Sequence, residues 1–178
     1  SNTGTLAHIA GFYSGVVTGG ATGSVTNQGT ITSAGGYGVQ LAMGGIVSND
    51  GMAALISGAS SGVFIEGASG TVVNAGTIDG TGTGTAGFGV RFTDTSGTHN
   101  NTVINSGTII GNNSTAVQFA AGDDLLKISP GAVFGGIADG ATGSNTLELA
   151  SGAGTLAGLG VSFTNFGDIT VDSGGIWT

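Results

Sequence analysis

Short triplets of the form apolar–x–apolar recur along this chain, separated by longer stretches of Gly, Ser, Thr and Asn. In Val39-Gln40-Leu41, Val63-Phe64-Ile65, Val90-Arg91-Phe92 and Val117-Gln118-Phe119, the outer two residues share one side of an extended segment and the middle residue takes the other. A second block pairs an apolar residue with Asn two positions on and Gly two further. It reads Val25-Thr26-Asn27-Gln28-Gly29-Thr30-Ile31, Val47-Ser48-Asn49-Asp50-Gly51-Met52-Ala53, Val72-Val73-Asn74-Ala75-Gly76-Thr77-Ile78, Val103-Ile104-Asn105-Ser106-Gly107-Thr108-Ile109 and Phe163-Thr164-Asn165-Phe166-Gly167-Asp168-Ile169. Steps between successive Asn residues are 22, 25, 31 and 60, and steps between the triplet valines are 24, 27 and 27. Repeats of this length mark a solenoid, in which one coil cannot bury its apolar face without the next.

The period of two inside each block makes the coils β, and no helix-length segment separates the blocks. The predicted fold is all-β, a parallel β-helix of about seven coils, roughly 35 Å long at one strand spacing per coil. Inward residues should stack as Val25/Val47/Val72/Val103, Ile31/Ala53/Ile78/Ile109 and Val39/Val63/Val90/Val117. The recurring Asn27, Asn49, Asn74, Asn105 and Asn165 are expected to form a turn ladder, each amide bonding to backbone or to the Asn of the next coil. Length changes between coils fall in the turns, so Gly80 to Gly87 and Thr93 to Asn101 are predicted surface loops. Residues 1–119 carry the Asn-x-Gly repeats, and 120–178 continue the same solenoid in altered form. There Gly122-Asp123-Asp124-Leu125-Leu126-Lys127-Ile128 realigns with Gly143-Ser144-Asn145-Thr146-Leu147-Glu148-Leu149, which sets Lys127 beside Glu148. Gly131 to Gly135 realigns with Gly154 to Gly158. The segment from Ser1 to Tyr13 is expected to cap the first coil and Trp177 to pack over the last.

Composition narrows the chemistry. Gly makes up 39 of 178 residues with a single Pro, and only 7% of residues are charged, too few to coat exposed helices. Ten carboxylates stand against Arg91 and Lys127, for a net charge of −8, so neither nucleic acid nor an anionic membrane surface is an expected partner. There is no Cys, hence no disulfide or thiolate site, and no run approaches the length of a membrane-spanning helix. A chain opening at Ser1 without an initiator Met reads as a processed product or fragment.

The Asn-x-Gly-Thr-Ile repeats, the two Gly-led acidic blocks and the closing Phe163-to-Val171 and Gly175-Ile176-Trp177-Thr178 segments together resemble the C-terminal part of a bacterial autotransporter passenger. The resemblance implies a right-handed β-helix, located extracellularly or on the bacterial cell surface, whose only link to the membrane is a C-terminal translocator barrel outside this sequence. Members of that family range from adhesins and self-associating proteins to proteases and lipases, so the resemblance leaves activity open.

Candidate chemistry is sparse. Asp123 and Asp124 form the one adjacent acidic pair and are weak metal candidates; the repeated nonapeptides of a calcium β-roll are absent, so turn chemistry is the expected role. A Ser-His-Asp arrangement would call on His8 or His99, but no Gly-x-Ser-x-Gly elbow occurs. Polysaccharide lyases and hydrolases share this fold, yet the two basic residues lie at unrelated coil positions. Thr81, Thr83 and Thr85 lack the stacked Thr-x-Thr of an ice-binding face. No catalytic residue and no cofactor is therefore assigned. Gln40, Phe64, Arg91 and Gln118 should share one outward face, with Phe64 exposed beside Arg91, as a possible interaction surface. The expected function is a non-enzymatic stalk, adhesin or self-association element, whose partners are itself or a surface glycan or protein. Alternatives are a carbohydrate-active enzyme on the same fold and a subunit of an end-to-end filament.

Overall fold

The structure, a computed structural model, describes residues 1–94 and 98–178. Among the described residues no helix forms, and twenty strands wind in successive coils. The first coil holds β1 (His8–Gly11) and β2 (Ser14–Thr18). Three strands make each of the next three coils: β3 (Gly23–Asn27), β4 (Thr30–Ser33) and β5 (Tyr37–Leu41); β6 (Gly45–Asn49), β7 (Leu55–Gly58) and β8 (Ser61–Glu66); β9 (Gly70–Asn74), β10 (Thr77–Gly80) and β11 (Phe88–Thr93). In the fifth coil β12 (Thr102–Asn105) is followed by the long β13 (Thr108–Gln118), and in the sixth β14 (Leu125–Ile128) by β15 (Val133–Asp139). The last coils contain β16 (Thr146–Leu149), β17 (Gly152–Gly154), β18 (Phe163–Thr164), β19 (Asp168–Val171) and β20 (Gly175–Trp177).

Every ladder is parallel and joins one coil to the next, giving a β-solenoid of about seven turns. One face stacks β3-β6-β9-β12-β14-β16-β19. A second runs β1-β4-β7-β10 into the leading half of β13, and a third runs β2-β5-β8-β11 into its trailing half. Because β13 spans both, the second and third faces form one bent sheet.

Three inward columns fill the interior. Val25, Val47, Val72, Val103, Leu126 and Leu147 lie in register on the first face. Val39, Val63, Val90 and Val117 do so on the third. The neighbouring Leu41, Ile65, Phe92 and Phe119 are also buried, with the last two rings stacked at 5.4 Å. On the second face the column is Ile31, Ile56, Ile78 and Ile109, not Ala53 as the spacing suggested. Three extra residues in the third coil's turn place Ala53 at an exposed tip, where the Ala54 amide closes on the Gly51 carbonyl at 3.0 Å. The first coil carries the same insertion, closed by Ala7 on Gly4 at 3.0 Å. Residues from Ser1 to Tyr13 are thus part of a genuine coil and not a cap.

A glycine column locks the coils together. A Cβ on Gly15, Gly38, Gly62 or Gly89 of the third face would lie 2.5–2.7 Å from Cγ2 of Ile31, Ile56, Ile78 or Ile109 in the following coil. These glycines supply space for the next coil's isoleucine, at a packing density that leaves no slack. In the next step of the column the glycine is replaced by Ala116 and the isoleucine by the half-buried Phe134.

Candidate functional site

The outward column of the third face brings the proposed interaction residues together. Since Val39 and Leu41 face inward, Gln40 must face out, and the same alternation acts on each later coil. Val17, Gln40, Phe64, Arg91, Gln118 and Asp139 are successive Cα partners across six coils. Phe64 does sit beside Arg91, but its expected exposure is corrected: only 7% of it is accessible. The Tyr37 ring stacks on it at 4.5 Å with a 15° tilt, which covers one face. Arg91 in turn lies 4.7 Å over the Phe88 ring. The result is a strip of two stacked pairs, Tyr37 on Phe64 and Arg91 on Phe88, flanked by the amides of Gln40 and Gln118. Gln40 donates to Glu66 Oε1 at 3.1 Å, while Arg91 Nε is buried with no hydrogen-bond partner.

Arg91 is the chain's only arginine, and among the described residues it forms no ion pair. The other side-chain cation, Lys127, is committed to the first face, where it bonds Glu148 as the register predicted and also Asp172 at 2.7 Å. These bonds raise the Lys127 pKa and hold the Asp172 carboxyl below its ordinary value. A planar guanidinium fixed on a ring presents a fork of donors suited to carboxylate, sulfate or sugar oxygens.

The ladder residues are positioned by the turn between the first and second faces. Asn27 Nδ2 donates to Asn49 Oδ1 at 2.8 Å, Asn49 to Asn74 at 2.8 Å and Asn74 to Asn105 at 2.9 Å. Each of these three amides also reaches a carbonyl of the following coil, on Leu55, Thr77 and Thr108. Asn2, which the spacing did not reveal, heads the ladder by donating to Asn27 Oδ1 at 2.8 Å. Asn165 is not in it. Phe163-Thr164 pairs with Ala138-Asp139 on the third face, so the Asn that follows lands at a different corner, exposed, with φ of 61°. Its amide bonds Asp139 instead, at 2.6 Å.

A second internal ladder occupies the corner before the first-face strands. The Asn101 amide nitrogen and its Nδ2 both donate to Asp124 Oδ1, at 2.6 and 3.0 Å, and the Asp124 amide donates to Asn145 Oδ1 at 2.9 Å. The two candidate acids therefore divide. Asp123 is exposed in the turn, as expected, whereas Asp124 is 1% accessible and is part of the interior. Desolvation pushes its pKa up to about 6, against the lowering effect of the two bonds from Asn101. Its Oδ2 has no partner. No cluster of three His, Cys, Asp or Glu residues suited to a metal ion occurs among the described residues.

His8 is exposed beside Thr32, and His99 Nδ1 lies 3.0 Å from Asp94. Of the predicted loops, residues 81–87 lie outside any strand; the 93–101 loop falls partly on residues 95–97, outside the described residues. Neither family models nor curated proteins nor solved structures show a match to this chain.

Proposed function

We propose that the protein is a non-enzymatic display element from the outside of a bacterial cell, a passenger-like rod whose third face is its contact surface. The observation that carries this reading is the outward strip of Tyr37, Phe64, Arg91 and the flanking glutamines. Tyr37 is stacked on Phe64 and Arg91 on Phe88, and all are mounted on coils joined from within by the Asn ladder. Such a strip meets a surface glycan, or a second copy lying alongside, through ring faces and hydrogen bonds without reorganising, which limits the entropic cost of contact. Four of the ten carboxylates are already committed. Glu148 and Asp172 bind Lys127, Glu66 binds Gln40, and Asp124 is sealed inside.

Glycan-array binding and sedimentation velocity on the chain and its Arg91→Ala/Gln118→Ala variant test the proposal. Binding or association by the parent, weakened at least tenfold in the variant, is the expected result. Silence in both assays overturns the function, and association untouched by the variant overturns the choice of face.

A further inference from the structure

Among the described residues the solenoid opens on its second face, between β15 and β17. Between the sixth and seventh coils the first face stays closed through β14 and β16, and the third through β15 and β18. On the second face, however, β17 leaves β15 and pairs only with β20, so the realignment of Gly131 to Gly135 with Gly154 to Gly158 does not become a ladder. Val133 donates to Gly107 of the coil before, so the alternation of a parallel ladder turns the Phe134 amide and carbonyl toward the opening, where no strand lies. On the opposite wall Leu156 and Thr178 bond across β17 and β20, which turns the Thr155 backbone the same way. The parting leaves a cleft of about 280 Å³.

Its walls have a distinct chemistry. Phe134 and Phe163 meet edge to face at 5.4 Å, and Trp177 stands across from them. The indole is immobilised, because Nε1 donates to the Ala150 carbonyl at 2.8 Å and the ring covers Gly154. Ser129, Thr155 and Ser162 also line the space, the Thr155 hydroxyl lying 3.3 Å from that of Thr178. In a chain with ten carboxylates, no charged side chain lines the space. An anion finds no cation there and a cation no carboxylate. An aliphatic chain would leave the Phe134 amide and carbonyl without partners. A ligand with apolar C–H faces and a rim of neutral hydroxyls satisfies both sets of groups.

We infer that this cleft is a binding site for a neutral saccharide, a single pyranose or the end of a chain. The site is separate from the third-face strip and stands whether or not that strip is a contact surface.

Trp177 is the only tryptophan, so its emission reports on the cleft directly. The intact chain is titrated with methyl glycosides of glucose, galactose, mannose and N-acetylglucosamine and with their neutral disaccharides. Glucuronate and hexanol serve as charged and aliphatic comparisons. A saturable change in emission with at least one neutral sugar is expected, weakened at least tenfold by Ala157→Leu, which fills the mouth of the cleft from an exposed position. Circular dichroism and melting confirm that the variant is folded, and Ser162→Ala gives a second, smaller loss should it not be. Leu6→Ala, at an exposed position of the first coil, leaves the titration unchanged. No saturable response to any neutral sugar, a response only to glucuronate or hexanol, or one indifferent to both cleft variants overturns the assignment.

Discussion

Asp124→Asn isolates the cost of one charge inside the solenoid. The carboxyl is enclosed between Asn101 and Asn145, and its pKa rises from 3.8 to about 6. A folded-state value above the unfolded one means that the native state holds the proton more tightly. The contribution of this carboxyl to stability is therefore greatest below about pH 4, falls as pH climbs between the two values, and levels off above about 6. Two units at 1.36 kcal/mol each give a loss of about 2–3 kcal/mol at neutral pH. Asparagine keeps the oxygen that accepts from Asn101 and replaces the unpartnered Oδ2 with an uncharged amide nitrogen, removing the titration. Urea unfolding of both proteins from pH 4 to pH 8 measures the difference, in which contributions from every other carboxylate cancel. The variant should match the parent near pH 4 and exceed it by about 2 kcal/mol at pH 8. A gap that does not change with pH, or a variant that is the weaker at pH 8, refutes the reasoning.

Three further outcomes follow from the packing. Gly62→Ala places a methyl group 2.6 Å from Ile78 Cγ2 and 2.9 Å from the Gly89 carbonyl, and should cost about 1–3 kcal/mol in chemical denaturation; Gly19→Ala, with nothing within 4 Å, should be neutral. Asn74→Ala breaks the first ladder, leaving Asn49 Nδ2 and Asn105 Oδ1 without that partner, at about 2–4 kcal/mol, whereas Asn165→Gly at its exposed, left-handed position should change stability by less than about 1 kcal/mol. Lys127→Met removes the cation holding the Asp172 carboxyl down, so a carboxyl-carbon NMR titration should show the Asp172 pKa moving upward, toward the ordinary aspartate range.

What could be read from the chain was whatever repeats at fixed spacing. The valine columns and four members of the Asn ladder occupy blocks of constant length, so periodicity located them. Asn2 escaped because its coil has seven residues from Asn to Ile where most have four, and the same insertion displaced Ala53 from the isoleucine column. The signal was present, since Asn2-x-Gly4-x-x-Ala7-x-Ile9 recurs as Asn49-x-Gly51-x-x-Ala54-x-Ile56. Asn165 has the local motif without its register, because turn length ahead of it, not the tripeptide, decides which corner it reaches. Phe64 was placed on the correct face, but alternation within one strand says nothing of a ring arriving from the coil before. Asp124 looked like turn chemistry, although Asn145 stands at its aligned position, because its other ladder partner, Asn101, ends the variable 93–101 segment. The parting between β15 and β17 had no sequence counterpart, as Gly131 to Gly135 and Gly154 to Gly158 look alike.

The fit between a glycine in one turn and the isoleucine in the next makes each turn an exchangeable unit. A segment running from Gly38 to Ser61, 24 residues, begins where a socket opens and ends just before another. Copied in tandem, it supplies its own plug and receives the one that follows, so neither a void nor a collision arises at the joints. Deleted, it lets the flanking turns meet with the same fit. Reach can thereby change by whole turns, and because Gln40 lies in this segment the outward column gains or loses one amide with each.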